Sequence, residues 1–212
     1  MFDLDDTLLD RDKAVDVMFS VIIEKCYSYI PSDKMLADFK KYDNKGYSDK
    51  IDVLSNLFDE YPPTYRILPS EIRDFWDMNF PECFSMDSER LSILEIINKN
   101  TKTAIISNGG TYSQRAKIKK TGLDRIFDVI IISDEVGVEK PSSQIFTLAL
   151  QAVNVEPMKA LFVGDNLKND IGGCQNAGIK GIWFNPDNLK NDTDIIPFKE
   201  ISHFNQILSF IR

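Results

Sequence analysis

The sequence predicts an α/β fold: a parallel sheet with helices on both faces, interrupted after its first strand by an all-helical insert. Three observations carry this expectation. Residues 88–212 alternate short apolar runs with helical stretches, the pattern of a sheet built from strand–helix units. The apolar runs are continuous rather than alternating, as in strands buried on both faces. Residues 12–87 show helical spacing and no convincing strand. The expected domains are therefore a core of residues 1–11 and 88–212, and an insert of residues 12–87.

The elements follow in order. Met1-Phe2 leads into Asp3 as the end of a first strand. Only these two residues precede Asp3, whereas a central strand of ordinary length needs roughly five. The sequence thus predicts either an unusually short strand or a chain that starts inside a longer one. In the insert, Val15, Phe19, Ile22, Ile23 and Cys26 recur at helical spacing. A second helix is expected around Leu36, Phe39 and Lys40, a third over Ile51, Leu54, Leu57 and Phe58, and a fourth over Glu71–Asn79. Pro31-Ser32-Asp33, Asp43-Asn44-Lys45-Gly46 and Pro62-Pro63 separate them as turns. Beyond the insert, helices are expected over 91–97, 112–121 (stopped by Gly122), 142–153 and 167–177 (stopped by Gly178). Strands are expected over 103–106, 128–132, 160–163 and 181–184, and a terminal helix is expected to hold His203.

Composition narrows the function. A net charge of -8 argues against a general nucleic-acid or membrane-surface binder. Cys26, Cys83 and Cys174 have neither zinc-site spacing nor a disulfide framework, which points to a reducing, cytoplasmic setting. No apolar run is long enough to span a membrane. His203 is the only histidine and lies far from any motif, so histidine-based catalysis is not expected.

The chemistry collects at strand ends. Asp3 and Asp5 are two apart and would project from one face of a strand end, where open α/β sheets bind ligands. Carboxylates so crowded repel unless a cation or proton separates them. A divalent metal, with one carboxylate free to attack or shuttle a proton, is the simplest use. Ile105-Ile106 runs into Ser107-Asn108-Gly109-Gly110, a hydroxyl and backbone N–H groups suited to an anion. Lys140-Pro141 precedes one helix, and Gly164-Asp165 with Asp170 opens another. Separately these are caps or solvated side chains; together, one crevice would gather an acid pair, a hydroxyl, a lysine and a second acid pair.

In order and spacing these four segments resemble the motifs of the haloacid dehalogenase-like superfamily of phosphohydrolases. Asp3-Leu4-Asp5-Asp6-Thr7-Leu8 is similar to the first motif, Ser107 with Asn108 to the second, Lys140-Pro141 to the third, and Gly164-Asp165 with Asp170 to the fourth. The resemblance covers the core and implies a Rossmann-like sheet with a helical cap between the first and second motifs. It implies that Asp3 is the nucleophile and Asp5 the general acid and base. Magnesium would be held by Asp3, the backbone carbonyl of Asp5 and Asp165. Ser107 and the Asn108 N–H would hold the phosphoryl oxygens. Lys140 would offset charge on nucleophile and phosphate, and Asp170 would orient Lys140 or a metal-bound water. Thr7 is expected to support the nucleophile turn, and the 43–49 segment to reach the site from the cap.

The expected function is magnesium-dependent hydrolysis of a small phosphorylated metabolite through an aspartyl-phosphate. Asp5 speaks against haloalkanoate dehalogenation, because those members resemble this motif but lack the second aspartate. Three alternatives stay open: a phosphomutase, a phosphonate hydrolase using an insert lysine (Lys34, Lys40, Lys41, Lys45 or Lys50), and a non-catalytic binding protein. Neither the metabolite nor the oligomeric state is written in the pattern.

Overall fold

The computed structural model describes residues 1–211 as two compact units, Met1–Asp10 with the chain from Met86 onward, and Arg11–Ser85. The first is the α/β unit. Its strands are β1 (Ala104–Ser107), β2 (Val129–Ile132), β3 (Leu161–Gly164), β4 (Lys180–Phe184) and β5 (Lys199–Ile201). β1 pairs with β2, β3 with β4 and β4 with β5, all parallel. What joins the two groups is Phe2, which bridges Ile105 on one side and Val163 on the other, again in parallel. The Phe2 N–H donates to the Ala104 carbonyl at 2.9 Å and the Asp3 N–H to the Val163 carbonyl at 2.9 Å. The sheet order is therefore β2-β1-(Met1–Asp3)-β3-β4-β5. Phe2 is thus the bridging residue at the centre of the sheet.

Side-chain alternation along this segment fills both layers. Met1 packs beside a cluster of Ile106, Ile145, Phe146, Ala149, Leu150, Phe162 and Cys174, on the face covered by α8 (Ser143–Val153). Phe2 meets Phe127 and Phe204 in the opposite layer, where α5 (Ser88–Asn100) and α6 (Thr111–Lys120) supply buried Ile93, Leu94, Ile97 and Ile118.

The second unit holds α1 (Arg11–Cys26), α2 (Asp33–Asp43), α3 (Lys50–Glu60) and α4 (Pro69–Asn79). Met18, Phe19, Ile22, Phe39, Leu54, Leu57, Phe58, Ile72 and Trp76 form its core. Ser32 and Asp49 cap α2 and α3 by accepting from the Met35 and Ile51 N–H groups. Asp43 is buried between Arg11 and Lys50, at 2.7 Å from each. The start of the 43–49 segment is thus an ion-paired anchor of this unit.

Two expectations are corrected and one strand is added. β5 was not foreseen: two of its three residues, Lys199 and Glu200, are exposed, so no apolar run marks it. The stretch expected as one helix over 167–177 opens as a π-helical turn, Leu167–Gly172, before the short α9 (Gly173–Asn176); paired glycines there weaken the regular helix. The terminal helix is a 3₁₀ stretch, Phe204–Phe210, with His203 exposed at its start. Among the described residues no helix is long and apolar enough to cross a membrane. The three cysteines are buried.

Candidate active site

The strand ends of the α/β unit converge on Asp3. Its backbone is fixed by the bridge through Phe2, and its side chain is nearly buried. The chain then turns tightly: the Leu8 and Leu9 N–H groups donate to the Leu4 carbonyl, and the Asp6 N–H to the Leu9 carbonyl at 2.7 Å. Asp6 takes a left-handed φ of 59° in this turn, a conformation aspartate tolerates better than most residues. Buried Leu4, Leu8 and Leu9 hold the turn down, leaving Asp5 partly exposed.

Lys140 is the centre of the charge arrangement. It is buried, and its Nζ donates to Asp3 Oδ1 and, at 2.7 Å, to Asp170 Oδ1. Asn108 aims it from the backbone. Asn108 Nδ2 donates to the Lys140 carbonyl at 2.9 Å, and the Lys140 N–H donates to Asn108 Oδ1 at 2.8 Å. The peptide between Lys140 and Pro141 is cis. The Asn108 side chain is therefore committed to the lysine loop. Ser107, at the end of β1, is buried with its hydroxyl at this strand edge.

The fourth segment completes the cluster. Asp170 Oδ2 accepts from the Asn166 N–H at 3.0 Å, so this carboxylate links the π-helical turn to Lys140. A Cβ on Gly164 would overlap the Asp170 carboxylate, which is why β3 ends in glycine. Asp165 accepts from the Thr7 hydroxyl at 3.2 Å, and its carbonyl accepts from Trp183 Nε1 at 2.8 Å. Thr7 is fully buried, so its role is to tie the first turn to the fourth segment.

The electrostatics are those of too many carboxylates for the cations present. One oxygen each from Asp3, Asp165 and Asp170 lies within 4.8 Å of the others. Burial, joined by the charges of Asp3, Asp170 and Asp6, pushes Asp165 up to about 8. Burial pushes Asp3 up to about 7; Lys140 opposes this, but Asp170 and Asp5 add to it. Burial works against the Lys140 ammonium, yet Asp170 and Asp3 more than reverse this and hold it above its ordinary value. Lys140 stays charged, and one ammonium shared by two carboxylates cannot keep Asp3 in the usual range. An oxygen-only cluster with surplus negative charge is the donor set of a hard divalent cation. Asp170 already accepts from Lys140 and Asn166, so the residues that fit a metal are Asp3 and Asp165.

Two buried side chains of this region were not foreseen. Gln114 and Lys117 lie on α6 and reach Asp5. Lys117 Nζ donates to both carboxylate oxygens of Asp5, at 2.9 and 2.8 Å, and Gln114 Nε2 donates to Oδ2 at 3.1 Å. In sequence they belong to a basic helix with Arg115, Lys119 and Lys120, and nothing in the pattern marks Lys117 as turned inward. The expected site residues Asp3, Ser107, Asn108 and Asp165 stand at strand ends, Lys140 and Asp170 join them from the loop and turn that follow, and Thr7 and Asp5 adjoin them.

Comparison with known proteins gives a consistent result. The sequence model of the haloacid dehalogenase-like hydrolases matches residues 1–184. A glyceraldehyde 3-phosphate phosphatase from Pyrococcus furiosus is 34% identical over 191 residues, covering 86% of this chain and 78% of that one. The pyrimidine 5'-nucleotidase YjjG of Escherichia coli is 29% identical over 214 residues, covering 97% and 94%. Among solved structures, the HAD-hydrolase YfnB of Bacillus subtilis, bound to magnesium, superposes with a TM-score of 0.82 at 25% identity, covering 99% and 96%.

Proposed function

We propose that this chain, which belongs to the haloacid dehalogenase-like hydrolase family, is a magnesium-dependent phosphatase of small phosphorylated metabolites. The single observation that carries the reading is the buried lysine shared by Asp3 and Asp170, with Asp165 within ligand reach of both. A phosphate dianion brought there meets a carboxylate nucleophile whose own charge is offset on one side by Lys140. Relatives of this chain are phosphatases and nucleotidases, which fixes the expected bond as a phosphate monoester.

The steps follow from the residues. An Asp3 oxygen attacks phosphorus as the ester P–O bond breaks, giving an aspartyl-phosphate, and the leaving oxygen takes a proton from Asp5. Asp5 then removes a proton from water as the water attacks the phosphoryl group, returning free Asp3 and inorganic phosphate. Ser107 and the Asn108 N–H hold phosphoryl oxygens, and Lys140 offsets their charge. Asp3, the Asp5 carbonyl and Asp165 would hold Mg²⁺, which supplies further charge neutralisation at the transferring group. Asp170 holds Lys140 in place, a positioning role. By its place in the chain, between the first and second site segments, the helical unit is the cap.

Of the five insert lysines that a phosphonate hydrolase could use, three are held in ion pairs within their own unit. Lys34 is shared by Asp38 and Glu60, Lys40 by Asp12 and Asp16, and Lys50 pairs with buried Asp43. The test is phosphate release from a panel of sugar phosphates, nucleoside monophosphates and 4-nitrophenyl phosphate, with Mg²⁺ and with EDTA. Metal-dependent turnover of at least one ester is expected. No turnover of any ester with Mg²⁺ present would leave the binding-protein reading in its place.

A further inference from the structure

We propose that Gln114 and Lys117 are positioning residues that fix the carboxylate of Asp5, resting on the reading of Asp5 as general acid and base. They stand three residues apart on α6, on one face, and both are nearly fully buried. Between them they donate to both oxygens of Asp5, so the carboxylate cannot turn about its own axis without breaking a bond. Gln114 Nε2 also donates to the Asn108 carbonyl at 2.8 Å. The helix that follows the phosphate-binding turn is thereby fastened to that turn and to Asp5 at once.

Two further observations separate this from ordinary packing. Gln114 Oε1 is buried with no hydrogen-bond partner among the described residues. An unpaired buried acceptor lowers stability, so a residue chosen only for packing would be apolar here. The second is Gly109, whose φ is +139° and whose Cβ position would lie 2.6 Å from Gln114 Nε2. The backbone of the anion-binding turn gives up a side chain where the amide sits. Asp5 can deliver a proton to a leaving oxygen only from a defined place, and misplacement of a proton donor is felt most where the leaving group is poor.

The experiment compares kcat/KM for an alkyl phosphate and for 4-nitrophenyl phosphate in wild type, Lys117→Met and Gln114→Leu. This ratio reports steps up to aspartyl-phosphate formation, and 4-nitrophenolate departs without help from an acid. Lys117→Met is expected to lose about thirtyfold or more on the alkyl ester and no more than about threefold on the nitrophenyl ester. Gln114→Leu, which gives up the bonds to Asp5 and to the Asn108 carbonyl together with the unpaired acceptor, should show the same asymmetry at smaller size. Equal losses on both esters, or none, would overturn the proposal. If the wild type cleaves neither ester, it is the phosphatase reading that fails. A crystal structure of Gln114→Leu then decides the positioning claim alone: a displaced Asp5 carboxylate supports it, an unmoved one overturns it.

Discussion

At the scale of single residues, the site works by sharing too few cations among too many carboxylates. Lys117 lies on Asp5, and Lys140 lies on Asp3 and Asp170, while Asp165 has the Thr7 hydroxyl. Carboxylates thus outnumber ammonium groups here, and a divalent ion would offset the surplus. On the proposed mechanism, replacing Asp3 by Asn removes the nucleophile yet keeps the side chain's shape. Turnover of the best ester in the panel should fall by about a thousandfold or more, while the thermal unfolding midpoint changes little, because Lys140 keeps Asp170. Readable residual turnover in Asp3→Asn would point to a different nucleophile. Asp3, Ser107 and Asp165 were legible because each stands where an apolar run stops, and Lys140 and Asp170 because they follow in the order of the resembled motifs. Gln114 and Lys117 were not legible, because on a helix rich in lysine the inward-facing one is chosen by the fold around it.

At the scale of elements, short loops between strand and helix carry the geometry. Asn108 clamps the backbone on both sides of Lys140, and Asp170 clamps its ammonium from the π-helical turn. Gly164 makes room for the second support, since a Cβ there would meet the Asp170 carboxylate. Gly164→Ala should destabilise the protein by about 1–3 kcal/mol through overpacking and lower turnover by displacing Asp170 from Lys140. A variant of unchanged stability and unchanged turnover would show that Asp170 has room to move. Most helices and buried strands could be read from periodicity. β5 could not, because its exposed Lys199 and Glu200 give no apolar run. The first strand is a related case: Met1, Phe2 and Asp3 pair with both neighbours through backbone bonds, and only those bonds reveal that it is central.

At the scale of the whole molecule, the crowded site couples stability to pH and to metal. Asp3 is held near 7 and Asp165 near 8, against ordinary values of 3.8, with burial the leading cause for each. Between about pH 4 and 8 the folded chain keeps protons that the unfolded chain releases. Stability from these groups therefore declines as pH rises through that window. Mg²⁺ competes with those protons and binds the folded state. The rise in thermal midpoint on adding Mg²⁺ should thus grow from pH 5 to pH 8. An increment independent of pH would mean that these carboxylates are not the ligands. The two-unit division follows from composition, since the all-helical pattern stops where strand and helix begin to alternate. The boundaries fall at Asp10 and Met86, where turns separate α1 and α5 from what precedes them.

The central claim is that Asp3 takes the phosphoryl group, and a crystal structure with Mg²⁺ and beryllofluoride tests it most directly. Beryllofluoride mimics a phosphoryl group on a carboxylate. Beryllium is expected on an Asp3 oxygen, its fluorides held by Ser107, the Asn108 N–H and Lys140. Beryllium on Asp5, Asp165 or any other residue would contradict it.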